Sequence, residues 1–207
     1  ATSVMGFNYK DYKVNILDTP GHQDFAEDTY RTLTAVDSVI IVIDHAKGVE
    51  QQTRRLMEVC RMRHTPVIVF INKLDREGLD PFDLLDEVER ELGVVTTPMV
   101  WPIGMGDRFK GVYNIFDHEL NLFTPNKQHV VEDLHHIESL DSPDLVKHIG
   151  AAAAERLAEE VEMVEGVYPT FDHDAYLAGE QAPVFFGSAL NTFGVRELLD
   201  TFVRIAP

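Results

Sequence analysis

An apolar run at residues 67–71 leads directly into the polar tetrapeptide Asn72-Lys73-Leu74-Asp75. A run this short and this rich in β-branched residues is typical of a strand that is buried on both faces. Similar runs occur at residues 14–17, 39–43 and 182–186. Strands that alternate with helical patterns predict a parallel, doubly wound α/β sheet. In such a sheet ligands bind at the carboxyl ends of the strands, which is where the tetrapeptide lies.

The tetrapeptide carries the groups that recognition of a guanine base requires. The Asp75 carboxylate can accept two parallel hydrogen bonds, from guanine N1–H and from the exocyclic amino group, and adenine lacks this pair of donors. Asn72 can bond the other edge of the base and tie neighbouring loops together. The Lys73 stem can cover the flat face of the base and ribose. The alternative for these four residues is a solvated turn after a strand.

A second motif, Asp18-Thr19-Pro20-Gly21-His22, follows the strand pattern of residues 14–17. A carboxylate at Asp18 can hold the water shell of magnesium beside a nucleotide. Gly21 has no Cβ, so its N–H can approach a γ-phosphate closely. The His22 imidazole can orient an attacking water. Pro and Gly are also ordinary turn residues, but the two motifs together favour a nucleotide site.

Composition and charge exclude several classes of protein. The 207 residues carry a formal net charge of −17 and contain one cysteine, Cys60. So acidic a surface disfavours non-specific binding to nucleic acid, and we expect no direct DNA binding. A single cysteine excludes an intramolecular disulfide and fits a reducing compartment. No apolar run of membrane-spanning length and no signal peptide are visible, which predicts a cytoplasmic protein without membrane contact.

The remaining pattern predicts a core interrupted by a smaller unit. We assign residues 1–96 and 181–207 to the α/β core and residues 97–180 to an inserted α+β subdomain. After the core strand at residues 182–186, Ser188-Ala189-Leu190 offers a backbone N–H at Ala189 that can bond guanine O6. Apolar periodicity predicts helices at residues 23–35, 49–63, 80–93, 143–165 and 194–205.

The motifs at residues 18–22, 72–75 and 188–190 resemble three of the five guanine-nucleotide motifs of translational GTPases. The sequence that flanks these motifs resembles that of bacterial peptide chain release factor 3. The segments that carry this likeness are residues 27–37, 46–50, 56–59, 101–104 and 177–180. Elongation factor G shares the three motifs, the tripeptide Phe109-Lys110-Gly111 and an inserted subdomain. It does not share the sequence of residues 28–37.

The resemblance implies a P-loop-GTPase-like fold that binds GTP or GDP with magnesium. It implies action on the ribosome, where the family dissociates the decoding release factors after peptide release. By the same resemblance Asp18 holds magnesium through water, Gly21 senses the γ-phosphate and His22 positions the hydrolytic water. The residues implied to read guanine are Asn72, Lys73, Asp75 and Ala189.

No Gly-x-x-x-x-Gly-Lys-Ser/Thr phosphate loop occurs in these 207 residues. We expect that loop, and the strand before it, to lie upstream of Ala1, so that this chain alone binds nucleotide weakly and is inactive in hydrolysis. In the implied fold that strand lies between the strands that end at Asp18 and Ile43. Its absence predicts two unpaired strand edges and low stability, or a gap closed by rearrangement or by pairing between copies.

Two alternatives to a termination factor stay open. One is an elongation factor G-like translocation GTPase, which translocation assays on the full-length gene product separate from a release factor. The other is a non-hydrolysing protein-binding scaffold that uses the acidic subdomain as its contact surface. Loss of guanine selectivity favours the scaffold, and loss of partner binding on Asp75→Asn favours the nucleotide switch.

Overall fold

The computed structural model describes residues 3–18, 36–125 and 132–207. Within them, one six-stranded sheet has the order β1-β2-β3-β4-β10-β5, and a second, four-stranded sheet has the order β6-β7-β8-β9. The strands of the first sheet are β1 Ser3–Tyr9, β2 Tyr12–Asp18, β3 Val39–Asp44, β4 Val67–Asn72, β5 Val95–Pro98 and β10 Gln181–Phe186. Those of the second are β6 Val100–Ile103, β7 Gly111–Asn114, β8 Glu119–Leu122 and β9 Leu134–His136.

The first sheet is mostly parallel, as the apolar strand pattern predicts. Strands β2, β3, β4, β10 and β5 pair in parallel, and β1 pairs antiparallel with β2 through a tight hairpin. Strands β3, β4 and β10 lie in the middle and are almost wholly buried. Their sequences are continuously apolar because both faces of the sheet are covered by other parts of the protein.

The expectation of two unpaired strand edges is wrong for the described residues. Strand β2 pairs directly with β3, with Leu17 opposite Ile41 and Asp18 opposite Val42. Unpaired backbone groups in a buried strand are costly, and this pairing satisfies them within one chain. Within the described residues the sheet is therefore continuous from β1 to β5, and no gap remains between β2 and β3. The Tyr9 hydroxyl at the end of β1 also donates to Asp200 Oδ1 at 2.9 Å.

Helices α1 (Gln51–Met62), α2 (Pro81–Leu92) and α6 (Val195–Ile205) accompany the first sheet. Helix α2 begins as its sequence predicts, because the Asp80 side chain accepts a hydrogen bond from Phe82 N and Pro81 opens the first turn. It ends at Gly93, whose φ of 65° is the left-handed conformation that glycine adopts without strain. In α1, burial raises the pKa of the Cys60 thiol to about 12, which makes it unreactive.

The predicted single helix at residues 143–165 is wrong, because two helices occupy that segment. Helix α3 (Pro143–Ile149) ends and α4 (Ala151–Val167) begins at Gly150. Gly150 has φ 86° and ψ 162°, which no helix accommodates. A short helix α5 (His173–Leu177) then leads back to β10. The helix predicted at residues 23–35 lies outside the described residues. None of the helices described here is long and apolar enough to span a bilayer.

Trp101 of β6 packs the second sheet against the first. Its ring is fully buried and lies 4.7 Å from that of Phe82 and 5.4 Å from that of Phe186, centroid to centroid. Its indole N–H donates to Glu160 Oε2 of α4 at 2.6 Å. One side chain thus links α2, β10 and α4. Its apolar ring is buried and its single N–H donor has a hydrogen-bond acceptor.

A polar contact also crosses between β8 and α6. Asn121 Nδ2 donates to Glu197 Oε1 at 2.8 Å. Among the described residues neither Asn121 Oδ1 nor Glu197 Oε2 has a hydrogen-bond partner, although both atoms are buried. Burial raises the pKa of Glu197 and the Glu132 carboxylate adds to the effect, outweighing Asn121, Arg196 and its own backbone N–H. A neutral group therefore suits this position better than a charged one.

Replacing Glu197 by Gln should raise the free energy of unfolding at neutral pH by about 1 kcal/mol, because an uncharged amide keeps one hydrogen bond and has a donor for Asn121 Oδ1. The raised pKa means that the wild-type acid stabilises the fold below its ordinary value of 4.5 and loses that contribution as pH rises through the folded value. The advantage of E197Q should therefore vanish in acid. Urea unfolding of both proteins, from neutral pH to below pH 4.5, tests the gain at neutral pH and its loss in acid.

Glu159→Gln on the exposed face of α4 is the matched control, since it removes the same charge without a buried partner. A loss of stability in E197Q at neutral pH, or a gain equal to that of E159Q, would contradict the expected role of the buried carboxyl.

Candidate functional site

Strands β3, β4 and β10 end at the same edge of the first sheet. Asp44 at the end of β3 lies opposite Asn72 at the end of β4. Phe186 at the end of β10 lies opposite Ile71. Because the parallel ladders hold these strands in register, the polar residues that follow β4 and β10 are brought together.

The Asn72 side chain joins the loops that follow β4 and β10. Its Oδ1 accepts hydrogen bonds from Lys73 N at 2.9 Å and from Ala189 N at 2.8 Å. Its backbone carbonyl accepts from His45 N at 3.1 Å. Three chain segments that are distant in sequence therefore meet at one residue. This is the loop-tying role that the sequence predicts for Asn72.

Gly187 bonds the loop that follows β4 and lets its own turn fold back closely on Phe193. Leu74 N donates to Gly187 O at 3.1 Å and Gly187 N donates to Ile71 O at 3.0 Å. A Cβ at Gly187 would clash with the carbonyl oxygen of Phe193 and press on the Phe70 ring. Glycine is required here for the close approach of two backbones.

Asp75 is held to the β10 loop by Asn191. Asn191 Nδ2 donates to Asp75 Oδ2 at 3.2 Å and to Ser188 Oγ at 2.8 Å. Ser188 is buried and exchanges backbone hydrogen bonds of 2.8 and 2.9 Å with Phe193. Phe193 packs against the Phe109 and Phe123 rings, at 5.7 and 5.2 Å. The turn that carries Ser188 to Leu190 thus has an apolar anchor behind it.

Lys73 and Asp44 form an ion pair across the same edge. Lys73 Nζ lies 3.0 Å from Asp44 Oδ2, and Asp44 Oδ1 accepts from Ala46 N at 2.8 Å. Burial acts to raise the pKa of Asp44, but the hydrogen bond and charge of Lys73 and the backbone N–H groups of Ala46 and Lys47 outweigh it and lower the pKa. Asp44 is therefore ionised at neutral pH, and the ion pair joins the loop that follows β4 to the end of β3.

His45 supports the loop that follows the tetrapeptide. Its ring is buried, and Nε2 lies 2.5 Å from Arg76 O. Its backbone carbonyl accepts from Leu79 N at 3.0 Å, and its ring lies where any side chain at Gly78 would have to go. The sequence pattern missed Asp44, His45 and Asn191, although Asp44 follows an apolar strand as Asp18 and Asn72 do.

The structure thus brings together two of the three predicted motifs. Residues 72–75 and 188–190 share one site, with Leu74 and Ser188 buried, Asp75 half-buried and Leu190 largely exposed. The backbone of Asp18 ends β2 on the same side of the sheet as Asp44 and Asn72. The Asp18 side chain and Thr19, Pro20, Gly21 and His22 lie outside the described residues. No cluster of three metal-binding side chains occurs in the described part of the chain.

The site offers a carboxylate with a free acceptor, an amide, a cation on a long stem and an exposed leucine. Within the described residues Asp75 Oδ1 accepts no hydrogen bond. Such a set suits a planar ligand that presents neighbouring N–H donors and an apolar face. A guanine base has this pattern, whereas adenine does not.

A mostly parallel α/β sheet with polar motifs at the carboxyl ends of its strands is typical of nucleotide-binding α/β domains. The family described as elongation factor Tu GTP binding domain matches residues 1–207, and the chain belongs to this family. Its members bind GTP and GDP with magnesium. The predicted fold class and cofactors are therefore confirmed.

A solved structure from Thermus thermophilus is similar to the chain, with a TM-score of 0.70 and 23% sequence identity. The match covers 100% of this chain and 32% of that protein. At this identity the likeness concerns the fold alone. The chain spans about a third of the length of that protein.

Replacing Asn72 by Ala should lower the free energy of unfolding by about 1–2 kcal/mol, because Lys73 N and Ala189 N both lose their acceptor. Asn72→Asp keeps an oxygen for both donors and should lose much less. Urea unfolding measures the two energies, and amide exchange at Ala189 should be faster in N72A alone. If N72D is as unstable as N72A, these two hydrogen bonds are not what Asn72 contributes.

Proposed function

We propose that this chain is the guanine-nucleotide-binding part of a cytoplasmic translation termination factor of the release factor 3 type. The observation that carries the proposal is that Asn72, Asp75 and Ala189 meet just beyond the carboxyl ends of β4 and β10. The resemblance of residues 27–37, 46–50 and 101–104 to release factor 3 supports the finer assignment. The partners of the whole protein are then the ribosome and the decoding release factors.

In this proposal, Asp75 selects the base. Its carboxylate accepts from guanine N1–H and from the 2-amino group, and Lys73 and Leu190 cover the two faces of the ring. Guanine O6 shares the exposed Ala189 N–H with Asn72 Oδ1. Adenine has no donor pair for the carboxylate, and an unpaired charged group opposes its binding.

The hydrolytic roles belong to the motif at residues 18–22. Asp18 holds magnesium through water, Gly21 contacts the γ-phosphate and His22 orients the attacking water. The bound magnesium supplies charge neutralisation at the phosphates. Hydrolysis of GTP is proposed for the whole protein, and residues 1–96 and 181–207 form its core around an insert at residues 97–180.

The Asp75→Asn variant tests the guanine assignment. It should bind GDP about 100-fold more weakly, because two hydrogen bonds to a charged acceptor are replaced by one to a neutral group. It should gain affinity for xanthosine diphosphate, whose 2-oxo group accepts from the new amide. Titration calorimetry of the whole gene product with GDP, xanthosine diphosphate and ADP measures the change.

Asp83→Asn is the matched control, since Asp83 is exposed on α2 and loses the same charge. Equal affinity of the wild-type whole gene product for GDP and ADP would overturn the guanine assignment. It would favour the second candidate function, a protein-binding scaffold that uses the acidic insert at residues 97–180 as its contact surface.

The whole gene product decides between termination and translocation. With GTP it should accelerate release of a decoding release factor from ribosomes after peptide hydrolysis, and Asp75→Asn should make that reaction depend on xanthosine triphosphate. Acceleration of transfer RNA translocation, without effect on release factor dissociation, would instead identify an elongation factor G-like protein. The measurement is the dissociation rate of a labelled release factor.

A further inference from the structure

We propose that Asn191 is a positioning residue for base recognition, which orients the Asp75 carboxylate so that both of its oxygens meet the guanine donors. The inference rests on the proposed function and assigns a role to a residue outside the three motifs. Its basis is that the carboxamide of Asn191 bridges Asp75 Oδ2, at 3.2 Å, and Ser188 Oγ, at 2.8 Å.

The two N–H bonds of the Asn191 amide match these two acceptors in number. A carboxylate has about four acceptor positions, two on each oxygen. Asn191 uses one position on Oδ2, and Oδ1 accepts nothing from the described residues. One position on each oxygen is all that guanine N1–H and the 2-amino group require. Asn191 and the base can therefore bind the same carboxylate together and do not compete.

The side chain of Asn191 is not needed to form its turn. Asn191 N donates to Ser188 O at 3.2 Å, and Thr192 N donates to Ala189 O at 3.0 Å. Both of these bonds come from the backbone, so any residue that fits the turn can make them. Asn191 is only partly buried, so water could satisfy its amide. The amide bonds Ser188 Oγ within the turn, and its second bond, to Asp75 Oδ2, is the one that reaches outside the turn.

A fixed carboxylate matters most to a ligand with two neighbouring donors. A carboxylate that rotates about its last bond can still accept one hydrogen bond in many orientations. It accepts two parallel bonds only when its plane coincides with that of the base. Loss of Asn191 should therefore weaken the binding of guanine more than that of hypoxanthine. Hypoxanthine keeps N1–H but lacks the 2-amino group.

The test is the binding of GDP and inosine diphosphate to the whole gene product, as the wild type and as the variants Asn191→Ala and Asn191→Asp. Binding is measured by nuclear magnetic resonance titration. The two ligands share ribose and phosphates, so the ratio of their dissociation constants isolates the 2-amino group. In N191A the affinity for GDP should fall about tenfold and that for inosine diphosphate about twofold. N191D places an acceptor against the carboxylate and should lose more GDP affinity than N191A.

Thr192→Ala is the control, because Thr192 is the exposed next residue of the same turn. It should leave both constants unchanged. An equal loss for both ligands in N191A would mean a merely structural role, and a gain in GDP affinity would mean that Asn191 competes with the base. Either result overturns the positioning role while the guanine assignment stands. If the whole gene product binds neither nucleotide, the proposed function is overturned, and this inference with it.

Discussion

One side-chain oxygen, Asn72 Oδ1, holds the proposed site together. It accepts from the backbone of its own loop, at Lys73 N, and from the loop that follows β10, at Ala189 N. Each loop leaves a strand that is buried and fixed in register. This acceptor joins the two loops together with the backbone hydrogen bonds at Gly187. Aspartate could accept the same bonds but lacks a donor, whereas alanine offers nothing. The residue type at the end of β4 is thus constrained by the loops before any ligand is considered.

Tight backbone approach gives the edge its shape. Gly187 admits the carbonyl of Phe193, and the pair of Phe109 and Phe123 rings fixes Phe193 from behind. The ion pair between Lys73 and Asp44 holds the other side. Apolar packing at one end and charge at the other leave the tip of each loop exposed, with Ala189 and Leu190 outermost. A rigid frame under an exposed tip is the arrangement in which loops carry function.

Local sequence patterns predicted most of the helices and strands. Contacts between residues that are distant in the chain could not be predicted from such patterns. Apolar runs identified β3, β4 and β10, and Asp80, Pro81 and Gly93 marked both ends of α2, because a strand or a cap depends on neighbouring residues. The direct pairing of β2 with β3 depends on residues more than 20 positions apart, and no local pattern encodes it. The break at Gly150 was missed because the apolar face continues across it. Asn191 was missed because its partner, Asp75, is distant in sequence.

The groups proposed to read the base already have partners inside the chain. Ala189 N bonds to Asn72, Lys73 Nζ to Asp44 and Asp75 Oδ2 to Asn191. A correct base adds acceptors and donors to these networks or exchanges with them, so its net gain in free energy is far smaller than the number of contacts suggests. A base with the wrong edge, however, covers the half-buried Asp75 carboxylate and has nothing to donate to it, and that penalty is not offset. An edge built in this way contributes more to rejecting adenine than to binding guanine tightly, and tight binding then depends on the phosphates.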